Sequence, residues 1–301
     1  MRLMFEEVRS NKIKSVVLII LFLFLVGVLG SVIGLIYGST VFGIIISVVV
    51  GLVYVLIVFN SGDQMILKMT GARPVTKKEF PYLYHTLEGL AIAVGIPTPK
   101  AYVIEDSALN AFATGKDPEH ASITVTTGLL KVMKRQELEG VVAHEMSHIK
   151  NYDVRFMMLA VVLVGLVTLL SDFILRSFLW GSHGRKRENN GGGNIQLLFI
   201  ALGLLFAILA PIIGYMIKLA ISRKREFMAD ANAAVLTRYP PGLASALEKI
   251  SKDPDPLVDK ANKATAHLFI STPFRKEHGF VTHLFATHPP IEERIKRLKE
   301  M

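Results

Sequence analysis

From Ser15 to Gly62 the chain carries no charged residue. Where water is absent, every backbone N–H and C=O must be satisfied within the segment, which leaves helices as the available form for so apolar a run. Ser15–Tyr37 supplies 23 residues and Val41–Phe59 supplies 19. Each is long enough to cross a hydrocarbon core about 30 Å thick at about 1.5 Å per residue. The intervening Gly38-Ser39-Thr40 suits a tight turn, so region 1–62 reads as a short tail followed by a transmembrane hairpin, with spans at about 15–37 and 41–59. A cleaved secretory signal fits poorly, because the apolar run is too long and the leader contains Glu6 and Glu7.

A second apolar pair occupies region 156–217, with segments at about 156–180 and 195–217. The connecting Gly181–Asn194 is rich in Gly, Asn and Arg and reads as a flexible loop. Asp172 inside the third segment is either an interfacial carboxylate near a helix end or a functional intramembrane one. The remaining parts, 63–155 and 218–301, are mixed in polarity. With 51% apolar residues overall, part of the chain is solvated by lipid. The net charge of +9 fits anionic lipid or the positive-inside bias. Nucleic acid is excluded as a partner, since no basic and aromatic stripe stands outside the apolar segments. The tail has four basic residues against two acidic ones and the Gly38–Thr40 turn has none, which places the N-terminus and both mixed parts in the cytoplasm. Arg185, Lys186 and Arg187 in the second connecting loop run against that rule, and they leave open whether the second hairpin spans fully.

There is no cysteine, so disulfides, thiol nucleophiles and cysteine metal sites are all excluded. Any metal must be held by His, Asp or Glu. Within 63–155, Glu79–Val94 has helical texture, while Ala101–Ile104 and Ser122–Thr126 read as short strands. Arg135–Asn151 has apolar residues at 138, 141, 142, 146 and 149, the period of a helix. On that helix lies His144-Glu145-Met146-Ser147-His148. Histidines four apart share one face and can reach a single tetrahedral metal at about 2.0–2.1 Å. Glu145 is close enough to exchange protons with water at the metal without occupying it. A third ligand must come from a separate element. Ser222–Asp230 offers Glu226 and Asp230 four apart, with Glu226 able to complete a two-His, one-Glu site. Asp230 could then accept from a ligand imidazole. Two apolar segments separate the histidines from Glu226, so two crossings or none leave the three ligands on one side of the membrane.

The combination of His144–His148, Ser222–Asp230 and Asn110-Ala111-Phe112-Ala113-Thr114-Gly115 resembles the HtpX family of M48 peptidases, and the order of hydrophobic and mixed regions is similar over nearly the whole chain. The resemblance implies a multi-pass α-helical membrane protein bearing a mainly α, α+β gluzincin-like zinc protease domain with a small β-sheet, split between 63–155 and 218–301. It implies one Zn2+ per chain on His144, His148 and Glu226, with Glu145 as general base. It implies a bacterial inner-membrane or archaeal plasma-membrane endopeptidase, facing the cytoplasm, that acts on unfolded, misfolded or damaged membrane proteins and on itself. In this family Asn110, Ala111, Phe112 and Ala113 look like an edge strand that pairs with the substrate backbone, a mode of binding with little sequence preference. His288, in Thr287-His288-Pro289-Pro290, matches a late His-Pro element placed to stabilise an oxyanion. Arg294 belongs near that element, without an assigned role.

Other readings predict different things. The plainest alternative is a helix with surface histidines, with Glu226 and Asp230 as ordinary solvated carboxylates on a basic helix. A protease with its ligands inside the membrane is disfavoured by Lys131, Lys134, Arg135, Glu137, Glu139 and Lys150 around the motif. A transporter would carry ionisable groups in its spans, and the first hairpin has none. A silent metal-binding scaffold would be expected to lack Glu145.

Overall fold

The computed structural model describes residues 2–36, 38–163, 165–166, 223–253, 268–270 and 289–301. Most of the second apolar pair, Asp172, the 181–194 loop and His288 lie outside the described residues.

The uncharged N-terminal stretch forms two long helices, α1 (Arg2–Ile36) and α2 (Thr40–Met69). Both are long and apolar enough to cross a membrane. They extend past the apolar runs into the polar flanks, because nothing between Phe59 and Met69 breaks the helix. Their outer faces expose large aliphatic and aromatic groups, such as Ile20 at 60%, Phe24 at 65% and Leu56 at 62%. Faces of this kind are stable against lipid rather than water. The pair is held by small residues: a Cβ on Gly30 would stand 2.5 Å from the Gly43 carbonyl, so the two backbones are in contact. One stripe of α1 turns inward, comprising Asn11, Ser15, Leu18, Phe22 and Leu25 at spacings of four and three.

After α2 the chain enters a small mixed sheet, β1 (Arg73–Pro74), β2 (Lys100–Ile104), β3 (Ala111–Gly115) and β4 (Ala121–Thr126), ordered β1-β2-β4-β3. β2 and β4 are parallel, with Val103 opposite Val125. β3 runs antiparallel to β4, with Ala113 opposite Ile123, and forms one edge. Helix α3 (Pro81–Val94) precedes β2; it ends where the sequence reading ended it and starts two residues after Glu79, and β2 and β4 each begin one residue before the strands read from the sequence. Side chains alternate across the sheet. Ala101, Val103, Ala111, Ala113, Ile123 and Val125 enter one core, together with α3 and the helices α5 (Arg135–Lys150), α7 (Arg223–Thr237) and α8 (Pro240–Ser251). Tyr102, Ile104 and Phe112 enter a second core with the lower ends of α1 and α2. That second core also receives a helix, α6, which starts at residue 153 and is described to 163. The sheet therefore separates a layer built around α5 from a layer built on the long apolar helices. A short helix, α4 (Thr127–Val132), leads into α5, and α9 (Ile291–Lys299) closes the described chain against α7 and α8.

Candidate metal centre

The helix carrying the two histidines, α5, is the central beam of the domain, packed by α3, α7, α8 and the sheet. Its start is fixed by Glu137, whose carboxylate accepts from the Lys134 backbone N–H at 2.7 Å, from Ser245 Oγ at 2.6 Å and from Lys249 Nζ at 2.6 Å. Its close approach to α8 depends on Gly140, where a Cβ would lie 2.7 Å from Leu243 N. From Leu138 onward nearly every face is covered, so His144, Glu145 and His148 are all buried.

Each histidine is tied by its Nδ1. His148 Nδ1 lies 2.9 Å from Asp153 Oδ2, and His144 Nδ1 lies 2.9 Å from Asp230 Oδ1. These bonds direct both Nε2 atoms inward, where they stand 3.2 Å apart. Glu226, on the first turn of α7, completes the group, with Oε1 3.5 Å from His148 Nε2 and Oε2 3.8 Å from His144 Nε2. Ligands of a tetrahedral ion at about 2.0–2.1 Å sit about 3.3–3.4 Å from one another. The three separations bracket that value, so the donor set fits a zinc-sized ion held by His144, His148 and Glu226.

Charge points the same way. Burial opposes a positive His148, yet the hydrogen bond to Asp153 and the carboxylates of Glu226, Asp153 and Glu145 outweigh it and raise its pKa to about 9. The carboxylates thus favour positive charge between the rings. Burial lowers the pKa of His144 despite its hydrogen bond to Asp230. Asp230 is drawn down to about 2: burial resists ionisation, but the Arg294 charge and the bonds from His144 and Arg294 prevail. Arg294, fully buried on α9, donates to Asp230 through Nε at 2.9 Å and Nη2 at 2.7 Å. The Glu145 carboxyl is pushed up to about 7, mainly by burial.

Glu145 also faces the sheet, where the nearby Ala113 backbone N–H favours its charged form. Asn110, just before β3, is bonded to Thr126 on the neighbouring strand, and its Oδ1 accepts from Ala111 N at 3.0 Å. Pairing with β4 alternates along the strand, so Ala111 and Ala113 turn backbone groups to the free edge while Phe112 points into the second core. The edge is not wholly open. Ile270 N donates to Ala111 O at 2.9 Å, and Phe269 packs its ring on Phe112 at 5.1 Å, edge to face. Arg294 Nη1 holds the Ile270 carbonyl at 3.2 Å, linking this covering segment to the metal centre.

The structure therefore brings together His144, Glu145, His148, Glu226, Asp230 and the Asn110–Ala113 strand. His288 falls outside the described residues. Asp153 was not singled out in the sequence, although a carboxylate five residues past His148, at the head of the next helix, was a signal. Arg294 was named there without a role, and its partner Asp230 was already in view.

A buried two-His, one-Glu cluster beside an edge strand, on a domain packed against apolar helices, defines a membrane-associated metalloprotease. The chain belongs to peptidase family M48, whose model matches residues 77–301, and within it to the HtpX proteases. It is 47% identical to the protease HtpX homolog of Dictyoglomus thermophilum over 297 residues, covering 99% of this chain and 94% of that one. It is 50% identical to the homolog of Thermoanaerobacter pseudethanolicus over 260 residues, 86% and 85% of the two chains. Against that of Ligilactobacillus salivarius the identity is 41% over 300 residues, covering 99% and 100%. Among solved structures, the crystal structure of S. mikatae Ste24p shares the fold, with TM-score 0.51 and 20% identity across 97% of this chain and 66% of that one.

Proposed function

We propose that this chain is a zinc-dependent endopeptidase of the bacterial inner (plasma) membrane that cleaves misfolded or damaged membrane proteins at the cytoplasmic surface. The observation that carries the reading is the pair of imidazoles whose Nδ1 atoms are tied to carboxylates while their Nε2 atoms meet at 3.2 Å beside Glu226. His144, His148 and Glu226 would hold one Zn2+. A zinc ion so held supplies Lewis acidity, polarising the scissile carbonyl and acidifying water. Glu145, buried on the same helix between the two histidines, takes a proton from the attacking water and returns it to the leaving amine. Asp230 and Asp153 keep the ligand rings in the tautomer with Nε2 free. A substrate segment adds along β3 beyond Ala111, where the edge is not covered by Ile270, with Asn110 fixing the start of the strand. His288 stabilises the oxyanion, an assignment that rests on the resemblance of its His-Pro element.

The chain is multi-pass, with the catalytic domain on the cytoplasmic side. Supporting this are the basic tail, the even number of apolar segments before each half of the site, and bacterial relatives of nearly full length. Substrates include unfolded membrane proteins and the chain itself. Protein purified under chelation, then given zinc, should bind about one equivalent and cut an unfolded protein. Glu145→Gln should bind zinc equally and turn over at least about 100-fold more slowly. Loss of zinc in the variant would remove Glu145 from the role of base. Failure of the unmutated protein to bind zinc would overturn the proposal.

A further inference from the structure

The inward stripe of α1 is apolar except at its cytoplasmic end, where Asn11 and Ser15 stand in place of aliphatic residues. Asn11 has no exposed surface at all. A side-chain amide buried to that degree costs a few kcal/mol unless it is bonded, and all of its visible bonds go to a single place. Its Nδ2 donates to Asp153 Oδ1 at 2.6 Å and to the Asn151 carbonyl at 2.9 Å. Its Oδ1 accepts from Arg225 Nη1 at 3.1 Å, and the same guanidinium nitrogen lies 3.4 Å from Asp153 Oδ1. The other oxygen of Asp153 is the one that holds His148.

Between Asn151 and Asp153 the chain passes through Tyr152 at φ 61°, a left-handed conformation that costs a non-glycine residue about 1 kcal/mol or more. That turn joins α5 to α6 and accompanies the approach of Asp153 Oδ2 to within 2.9 Å of His148 Nδ1. Asn11 bonds the residue on each side of it. The amide thus clamps a strained turn from outside, fixes one carboxylate oxygen and leaves the other for the imidazole. We propose that Asn11, on the N-terminal membrane helix, is a positioning residue of the metal centre: it holds Asp153, and through Asp153 the orientation of His148. Metal retention and turnover then depend on α1 being docked in its observed register. This rests on the zinc-protease reading above and adds to it the coupling of membrane helix to metal ligand.

The test compares full-length Asn11→Leu, of similar size and unable to hydrogen bond, with the unmutated protein and with Ser15→Ala. Ser15 is buried one turn along α1, and among the described residues its hydroxyl bonds to the Asn11 carbonyl at 2.9 Å. Zinc-loaded protein in detergent is challenged with excess chelator, and zinc release is followed alongside kcat and KM. Removal of a group that orients a metal ligand should speed release about tenfold or more and lower kcat with little change in KM, and should alter the visible bands of the cobalt-substituted protein. Ser15→Ala should release zinc at the unmutated rate. In an Asp153→Asn background, Asn11→Leu should add little, because the carboxylate it acts through is gone. Should leucine prevent folding, Asn11→Ala carries the same comparisons, with the amide removed and less bulk to seat. Unmutated release rate and cobalt spectrum in a folded Asn11 variant would overturn the inference, as would equal effects of Asn11→Leu and Ser15→Ala, or full additivity with Asp153→Asn. These outcomes differ from failure of the zinc-protease reading, in which the unmutated protein itself would bind no metal.

Discussion

His144 and His148 sit one turn apart on the same helix, and each gives its Nδ1 to an aspartate at 2.9 Å, yet the two supports are built from different parts of the molecule. Asp230 is held by Arg294 from α9 in a two-point bond, entirely within the catalytic domain. Asp153 is held by Asn11 from the membrane helix and by Arg225 from the first turn of α7. One ligand is anchored within the domain alone and the other to the hairpin as well. A metal centre supported in this way senses both the folding of its own domain and the seating of that domain on the bilayer helices.

The largest expected break in this comparison is on the Asp230 side. Arg294 is fully buried, and truncating one partner of a buried ion pair leaves the other charge uncompensated, at a cost of about 3–5 kcal/mol. Arg294→Ala should therefore lower the thermal midpoint severely or abolish folding. The same truncation of Arg225 should cost less, since Asn11 still donates to Asp153. Thermal unfolding of both variants in the same detergent decides it, and equal losses would mean the two supports are equivalent. Next in size are the aspartates themselves. Asp230→Asn and Asp153→Asn should each weaken zinc retention about 10–100-fold, the usual effect of removing a ligand's orienting carboxylate. Only the Asp153 variant should make zinc retention insensitive to Asn11. Competition with a chelator of known affinity measures both.

Half of this arrangement was legible in the sequence. The spacing of His144 and His148, and of Glu226 and Asp230, follows from helical geometry, and helical geometry is local. The strands around Ala101–Ile104 and Ser122–Thr126 were legible for a similar reason, in β-branched runs closed by turn residues. What was hidden depends on contacts across long stretches of chain. Asn11 and Asp153 are 142 residues apart, and neither periodicity nor charge pattern links a tail asparagine to a turn between two helices. Ile270 against Ala111 is a similar case: the edge strand could be read, but not that the chain covers one end of it. Arg294 could be placed near the site yet not paired, because a buried arginine looks in sequence like any other member of the basic Arg294–Arg297 surface.

A change that shifts α5 as a whole should load both supports together, which makes it a control on the comparison. Alanine for a mid-helix glycine ordinarily gains about 1 kcal/mol. At Gly140 the added Cβ would sit 2.7 Å from Leu243 N and 2.9 Å from Leu243 Cα, both backbone atoms that cannot rotate away. Gly140→Ala should thus destabilise by about 1–3 kcal/mol, the cost of overpacking, and should speed zinc release in the Asp153→Asn and Asp230→Asn backgrounds alike. A gain in stability would show that α8 yields freely.

The smallest effect is expected at Glu137, which anchors α5 far from the metal. Burial resists its charge, but the bonds from Lys249, Ser245 and the Lys134 N–H hold its carboxyl below the ordinary value of 4.5. A carboxyl depressed in the folded state contributes stability above its ordinary value, and that contribution is lost as pH falls through the lower folded value. Glu137→Gln keeps the shape and one acceptor while losing charge and one strong bond, so it should cost about 1–2 kcal/mol at pH 7. The gap between variant and unmutated protein should narrow as pH drops below 4.5, when the unmutated carboxyl itself takes a proton. Zinc retention at pH 7 should not change, because Glu137 fixes where the helix starts and touches neither aspartate. A gap that stays constant from pH 7 to pH 3.5 would assign the stabilisation to packing of the side chain rather than to its charge. A change in zinc retention would show that the two supports are coupled through the helix itself, and the contrast between domain anchor and membrane anchor would then have to be withdrawn.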